Sequence, residues 1–229
     1  MSAGPIPERL RALLFDLDGT LLDSDDEGVE ALARWLMHLG LRDARYRARR
    51  IVMRAETPVN ALMTALDIVG LDGPVLAFSA WLRRVRGERT APRFRLVPGT
   101  DDALHLLASR YRLGVVTTRG QKDTWAFLEA FGLTGLFEVV VTRESTWRLK
   151  PNPSPVRHAV RLLGLKPETC AMVGDTPVDM RAARRAGVWA IGVLCGFGER
   201  DELERAGAHL ILPSPADLPA ALGMESGCG

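Results

Sequence analysis

The chain has 229 residues, 47% hydrophobic and 25% charged; that composition supports a full core, and the length suits about one and a half ordinary domains. Thirty Lys and Arg against 28 Asp and Glu leave a formal charge of +2, too small for a nucleic-acid footprint. Three cysteines, Cys170, Cys195 and Cys228, are an odd number without metal-ligand spacing, which argues against a disulfide framework or a zinc site.

The amino terminus lacks a basic, apolar, small-residue leader pattern, and no apolar run reaches spanning length. The expectation is therefore a cytoplasmic protein without membrane or nucleic-acid partners, a monomer or homodimer. The densest charge cluster, Arg42 to Arg54, reads as a solvated helix face, with anion recruitment as the alternative.

In chain order, short apolar runs alternate with helix-period stretches, the mark of βαβ units and a parallel sheet. The predicted strands are Ala12–Phe15, Leu113–Val116, Phe137–Val141, Cys170–Val173, Val188–Val193 and His209–Leu212. Most are continuous apolar runs, as expected where helices cover both faces. The separation of the first two strands far exceeds an ordinary crossover. Four helices are predicted in that gap, over Val29–Leu39, Arg45–Glu56, Val59–Val69 and Val75–Arg86, with breaks at Gly40, Pro58 and Gly70–Pro74. The predicted organisation is an α/β core from residues 1–24 and 90–229, a Rossmann-like doubly wound parallel sheet, with an α-helical cap over 25–89. The core resumes near Pro98, where Thr100 is the expected N-cap of a helix.

Chemistry concentrates where strands end. Phe15-Asp16-Leu17-Asp18-Gly19-Thr20 follows the first strand, so Asp16 should emerge at its carboxyl end, where open α/β sheets place their ligands. Asp16 and Asp18 repel each other unless a cation lies between them or one keeps its proton. An ionised Asp16 can attack phosphorus, and Asp18 can protonate the leaving oxygen and later deprotonate water. Val173-Gly174-Asp175-Thr176-Pro177-Val178-Asp179 also follows an apolar run, and neighbouring strands would bring Asp175 and Asp179 to the same crevice. Converging carboxylates of this kind call for a divalent ion, and oxygen-only ligands favour Mg2+. A helix start stabilised by Asp175 and Asp179 would explain Asp175 adequately but gives no reason for the matching motif at Asp16. Thr117, Thr118 and Arg119 end another strand and should open a helix, where hydroxyls and N–H groups can hold phosphate oxygens. Lys150, before Pro151-Asn152-Pro153-Ser154-Pro155, can set an ammonium between an attacking carboxylate and a phosphate.

Taken together, Asp16-Leu17-Asp18-Gly19-Thr20, Thr117, Lys150 and Gly174-Asp175 with Asp179 resemble the four ordered motifs of haloacid dehalogenase-like hydrolases across nearly the whole chain. The inserted helices resemble the cap of the phosphoglycolate phosphatase-like branch, which Val115-Val116-Thr117-Thr118 and Lys150-Pro151 also resemble, along with that branch's inorganic pyrophosphatases. The resemblance implies a phosphatase acting on a small phosphorylated metabolite. It makes Asp16 the nucleophile, Asp18 the acid and base, Thr117 a phosphate-oxygen donor and Lys150 the charge clamp. Asp16, the Asp18 backbone carbonyl and Asp175 would ligate Mg2+. Asp179 would support the metal through water or orient Lys150.

An acid at Asp18 disfavours dehalogenation, because the similar dehalogenases lack one there. A phosphosugar mutase would use the same aspartyl-phosphate. A signalling receiver domain fits poorly, since it needs no large insertion after its first strand. In the cap, Arg54 near the Pro58 break is the candidate contact for a distal carboxylate or second phosphate.

Overall fold

The computed structural model describes residues 9–23, 37 and 95–224. The chain divides into two compact units, Met1–Ser24 with Phe94–Gly229, and Asp25–Arg93. The helices expected between residues 25 and 89, with Arg54 and most of the basic cluster, lie outside the described residues.

Six parallel strands form one sheet in the first unit: β1 (Ala12–Phe15), β2 (Arg112–Val116), β3 (Phe137–Val141), β4 (Cys170–Gly174), β5 (Trp189–Val193) and β6 (Leu210–Leu212). Their order is β3-β2-β1-β4-β5-β6, so the chain winds outward from β1 in one direction and then returns to wind outward in the other. Successive strand residues point to opposite faces, and both faces are apolar. Leu13, Phe15, Val115, Val173 and Ile191 pack on one side, against α1 (Thr100–Ala108), α2 (Gln121–Ala130) and α6 (Leu218–Ala221). Leu14, Val116, Met172 and Ala190 pack on the other, against α3 (Ser154–Leu162), α4 (Pro177–Ala186) and α5 (Arg200–Ala206). Two-sided burial is why the strands read as unbroken apolar runs. Among the described residues no helix is long and apolar enough to cross a membrane.

Within the first unit the stretch Leu21–Asp23 pairs with Arg95–Val97. Asp23 N–H donates to the Arg95 carbonyl at 2.8 Å and Val97 N–H to that of Leu21 at 2.9 Å. The two stretches of the first unit therefore meet just after the turn that follows β1.

Three expectations need correction. Thr100 is not the N-cap of α1: Gly99 holds that place, while Thr100 is fully buried and its Oγ1 has no hydrogen-bond partner. Thr100 is instead the first residue of the helix itself. Val188 does not begin β5, because α4 ends in a left-handed Gly187 and the Val188 N–H closes back on the Ala183 carbonyl at 3.1 Å, as helix C-termini commonly do. His209 precedes β6; its backbone N–H donates to the Ala190 carbonyl at 2.8 Å and its Nδ1 accepts from the Ala190 N–H at 2.9 Å.

Candidate active site

The winding reverses between β1 and β4, and open α/β sheets bind ligands at the carboxyl edge of such a switch point. Phe15 is in register with both Val173 of β4 and Val115 of β2. Asp16 comes one residue beyond that level, and Asp175 and Thr117 two, after Gly174 and Val116, so all three emerge at the same carboxyl edge.

Asp16, Asp175 and Asp179 are buried and offer carboxylate oxygens that all lie within 4.8 Å of one another. Lys150 is buried among them. Its Nζ stands 2.7 Å from Asp16 Oδ1 and 2.6 Å from Asp179 Oδ1, and donates to the Val116 carbonyl at 2.9 Å. Asp179 divides its work. Oδ1 takes Lys150, while Oδ2 accepts the Thr176 N–H at 3.1 Å and the Thr176 hydroxyl at 2.5 Å, closing a capping box on α4. Helix capping and an ion pair thus coexist at one residue.

Three clustered carboxylates, two of them on the one ammonium of Lys150, leave the cluster short of positive charge. Burial pushes the Asp16 carboxyl up to about 7, against the pull of Lys150 and with help from Asp179. Burial, then Asp179 and Asp16, hold Asp175 well above the usual carboxylate range. The two acids on the ammonium, with their neighbouring oxygens, raise Lys150 in spite of its burial. An all-oxygen, buried, electron-rich cluster of this kind fits a hard divalent cation such as Mg2+.

Asp175 is held by contacts that its motif does not announce. Thr20 Oγ1 donates to Oδ1 at 3.0 Å and the Phe197 N–H to Oδ2 at 2.7 Å, while the Gly198 N–H donates to the Asp175 carbonyl at 2.9 Å. The loop Cys195-Gly196-Phe197-Gly198 after β5 thus wraps this carboxylate. A Cβ on Gly196 would stand 2.1 Å from Asp175 Oδ2 and 2.4 Å from the Gly19 carbonyl, so only glycine lets the loop approach so closely. Gly19 has φ +74°, a conformation that glycine adopts without strain. Cys195 Sγ donates to the Gly19 carbonyl at 3.3 Å. Cys195 is exposed as a residue, but local desolvation of its sulfur first and Asp175 second push the thiol up to about 12, so it stays protonated.

The Asp18 side chain lies outside the three-carboxylate cluster and turns to Arg119. Arg119 Nε donates to Asp18 Oδ2 at 3.1 Å and Nη2 donates to Oδ1. Thr117 is buried, and its Oγ1 accepts the Arg119 N–H at 3.0 Å. Thr118 is half-buried in the same turn. The helix they were expected to open begins later, at Gln121, whose N–H is taken by Glu144 Oε2 at 3.0 Å. Asp16, Asp18, Thr117, Thr118, Arg119, Lys150, Asp175 and Asp179 therefore gather at one edge of the sheet. The Thr20 hydroxyl and the Phe197 N–H were missed; for Phe197 the available signal was its two flanking glycines in the loop a few residues after a strand.

Residues 13–193 match the family model for haloacid dehalogenase-like hydrolases. The chain belongs to that family. As a haloacid dehalogenase-like hydrolase it is 32% identical over 216 residues to a phosphoglycolate phosphatase of Chromobacterium violaceum, covering 92% of this chain and 96% of that one. It is 27% identical to the pyrophosphatase PpaX of Anoxybacillus flavithermus, covering 95% and 99% respectively. Among solved structures, a hydrolase from Pseudomonas syringae superposes with a TM-score of 0.66 at 26% identity, covering 93% of this chain and 98% of that one.

Proposed function

We propose that the protein is a Mg2+-dependent phosphatase of small phosphorylated metabolites, working through an aspartyl-phosphate on Asp16. The observation that carries this reading is the placement of Asp16 at the switch point, with Oδ1 on the Lys150 ammonium at 2.7 Å and no hydrogen-bond partner for Oδ2 among the described residues. Oδ2 attacks phosphorus, and the bond from phosphorus to the leaving oxygen breaks. Asp18 delivers a proton to that oxygen, then removes one from the water that attacks the phosphoenzyme and frees Asp16. Lys150 holds the nucleophile and offsets its repulsion with the phosphoryl oxygens. Thr117 donates its hydroxyl to one of them, with Thr118 and Arg119 beside it. Asp16, the Asp18 carbonyl and Asp175 would hold the ion, which when bound neutralises phosphoryl charge as a Lewis acid. Asp179 keeps Lys150 in place.

In the same reading residues 25–89 form the cap, and Arg54 meets a distal anion, which favours phosphoglycolate or pyrophosphate over neutral sugar phosphates. The names of the similar proteins support those two substrates. A panel of phosphoglycolate, pyrophosphate, a sugar phosphate and p-nitrophenyl phosphate, read by phosphate release with magnesium and then with chelator, tests the proposal. The expected result is metal-dependent release, fastest on phosphoglycolate or pyrophosphate, the two candidates that carry a second anionic group. Isomerised sugar phosphate without free phosphate would point to a mutase instead, and full activity in chelator would remove the metal from the reaction.

A further inference from the structure

We propose that Arg119 is the positioning residue for Asp18, fixing the plane of its carboxylate for proton transfer; this rests on the acid and base role proposed for Asp18. Asp18 sits on the turn after β1, where the Thr20, Leu21 and Leu22 N–H groups all return to the Leu17 carbonyl. That turn fixes the backbone but leaves the side chain two free torsions. Among the described residues Arg119 alone holds the Asp18 carboxylate, and it does so with both arms of its fork, Nε on Oδ2 at 3.1 Å and Nη2 on Oδ1. Arg119 is itself anchored. Its N–H is bound to Thr117 Oγ1 at 3.0 Å, and its carbonyl accepts the Arg143 N–H at 3.2 Å.

A carboxylate has about four lone-pair sites, so a bidentate guanidinium occupies two and leaves one on each oxygen for the substrate and for water. The planar fork sets the orientation of that remaining pair, which a lysine, a point charge on a flexible stem, would not. Both partners are half-buried, with side-chain exposures of 25% for Arg119 and 35% for Asp18, so the pair is shielded from full solvent competition yet open to a ligand. Its turn also carries Thr117 and Thr118, so Arg119 has a rival role, direct contact with substrate phosphate, which makes a different set of predictions.

The test is a double-mutant cycle of Asp18→Asn and Arg119→Ala, with kcat and KM measured on p-nitrophenyl phosphate in magnesium. Hydrolysis of the phosphoenzyme needs Asp18 whatever the leaving group, so this probe is sufficient. Arg119→Ala is expected to lower kcat by about 10–100-fold, the scale of a misplaced catalytic group, with KM little changed. In the Asp18→Asn background the same change should cost less than about twofold, because nothing remains to be positioned. Arg119→Lys should recover only part of the loss, and added guanidinium ion should restore Arg119→Ala. An equal loss in both backgrounds, or a rise in KM alone, would overturn the positioning role in favour of phosphate contact. If Asp18→Asn slows turnover and Arg119→Ala does not, the inference fails while the acid and base reading stands. If Asp18→Asn itself leaves kcat unchanged, both fail.

Discussion

Replacing Lys150 with methionine keeps the buried stem and removes only the ammonium. That ammonium contacts Asp16 at 2.7 Å, Asp179 at 2.6 Å and the Val116 carbonyl at 2.9 Å. Removing one partner from a buried ion pair costs about 3–5 kcal/mol, and here two buried carboxylates share the lost cation. Protonation limits the loss. Asp16 already titrates at about 7 with Lys150 beside it, so without Lys150 it takes a proton near neutrality instead of standing as an uncompensated anion. The lower end, about 3 kcal/mol, is expected at neutral pH, and a chain of this size loses about 2–4 °C per kcal/mol. Thermal denaturation in chelator should therefore show Tm lowered by about 6–12 °C. The deficit should be larger at about pH 8.5 than at about pH 6, where the acids neutralise more readily. Magnesium should recover part of it by binding the folded state, while phosphate release stays abolished. A Tm within about 2 °C of the parent at both pH values would refute the claim that Lys150 compensates this cluster.

Gly196→Ala should leave the sheet folded but weaken magnesium binding by about tenfold or more, because the new Cβ displaces Asp175, and outer-shell changes cost about 10–100-fold in metal affinity; calorimetric titration reads it without reference to activity. In chelator, the parent protein should lose stability as pH rises from about 4 through about 7. Folded Asp16 holds its proton to about 7 against an ordinary value of 3.8, so the folded state binds more protons than the unfolded across that window, and the stabilisation disappears once folded Asp16 ionises. Saturating magnesium should flatten the dependence.

The fold was legible because its sheet is covered on both faces. Leu13 and Phe15 enter one core and Ala12 and Leu14 the other, so β1 has no polar residue to hide it. The edges were less legible. Val188 is apolar enough to read as strand, yet the helix before it claims its N–H. Thr100 has a capping side chain, but it falls one residue inside the helix and is fully buried. The acidic motifs could be placed because each follows a strand, and the parallel register carries them to one edge. What holds them could not. The Phe197 donor is backbone and has no side-chain signature, and the Arg119 and Asp18 pair spans 101 positions of sequence. Arg119 reads as a phosphate ligand from its turn alone, and only the three-dimensional contact directs its guanidinium to a carboxylate.

The central claim is a covalent bond to Asp16, and the most direct measurement is acid quench of the enzyme during turnover in magnesium, followed by peptide mass analysis. The expected result is one added phosphoryl group on the peptide containing Asp16, labile in mild base, absent from Asp16→Asn and accumulating in Asp18→Asn. A phosphoryl group on any other residue, or robust turnover by Asp16→Asn, would contradict it.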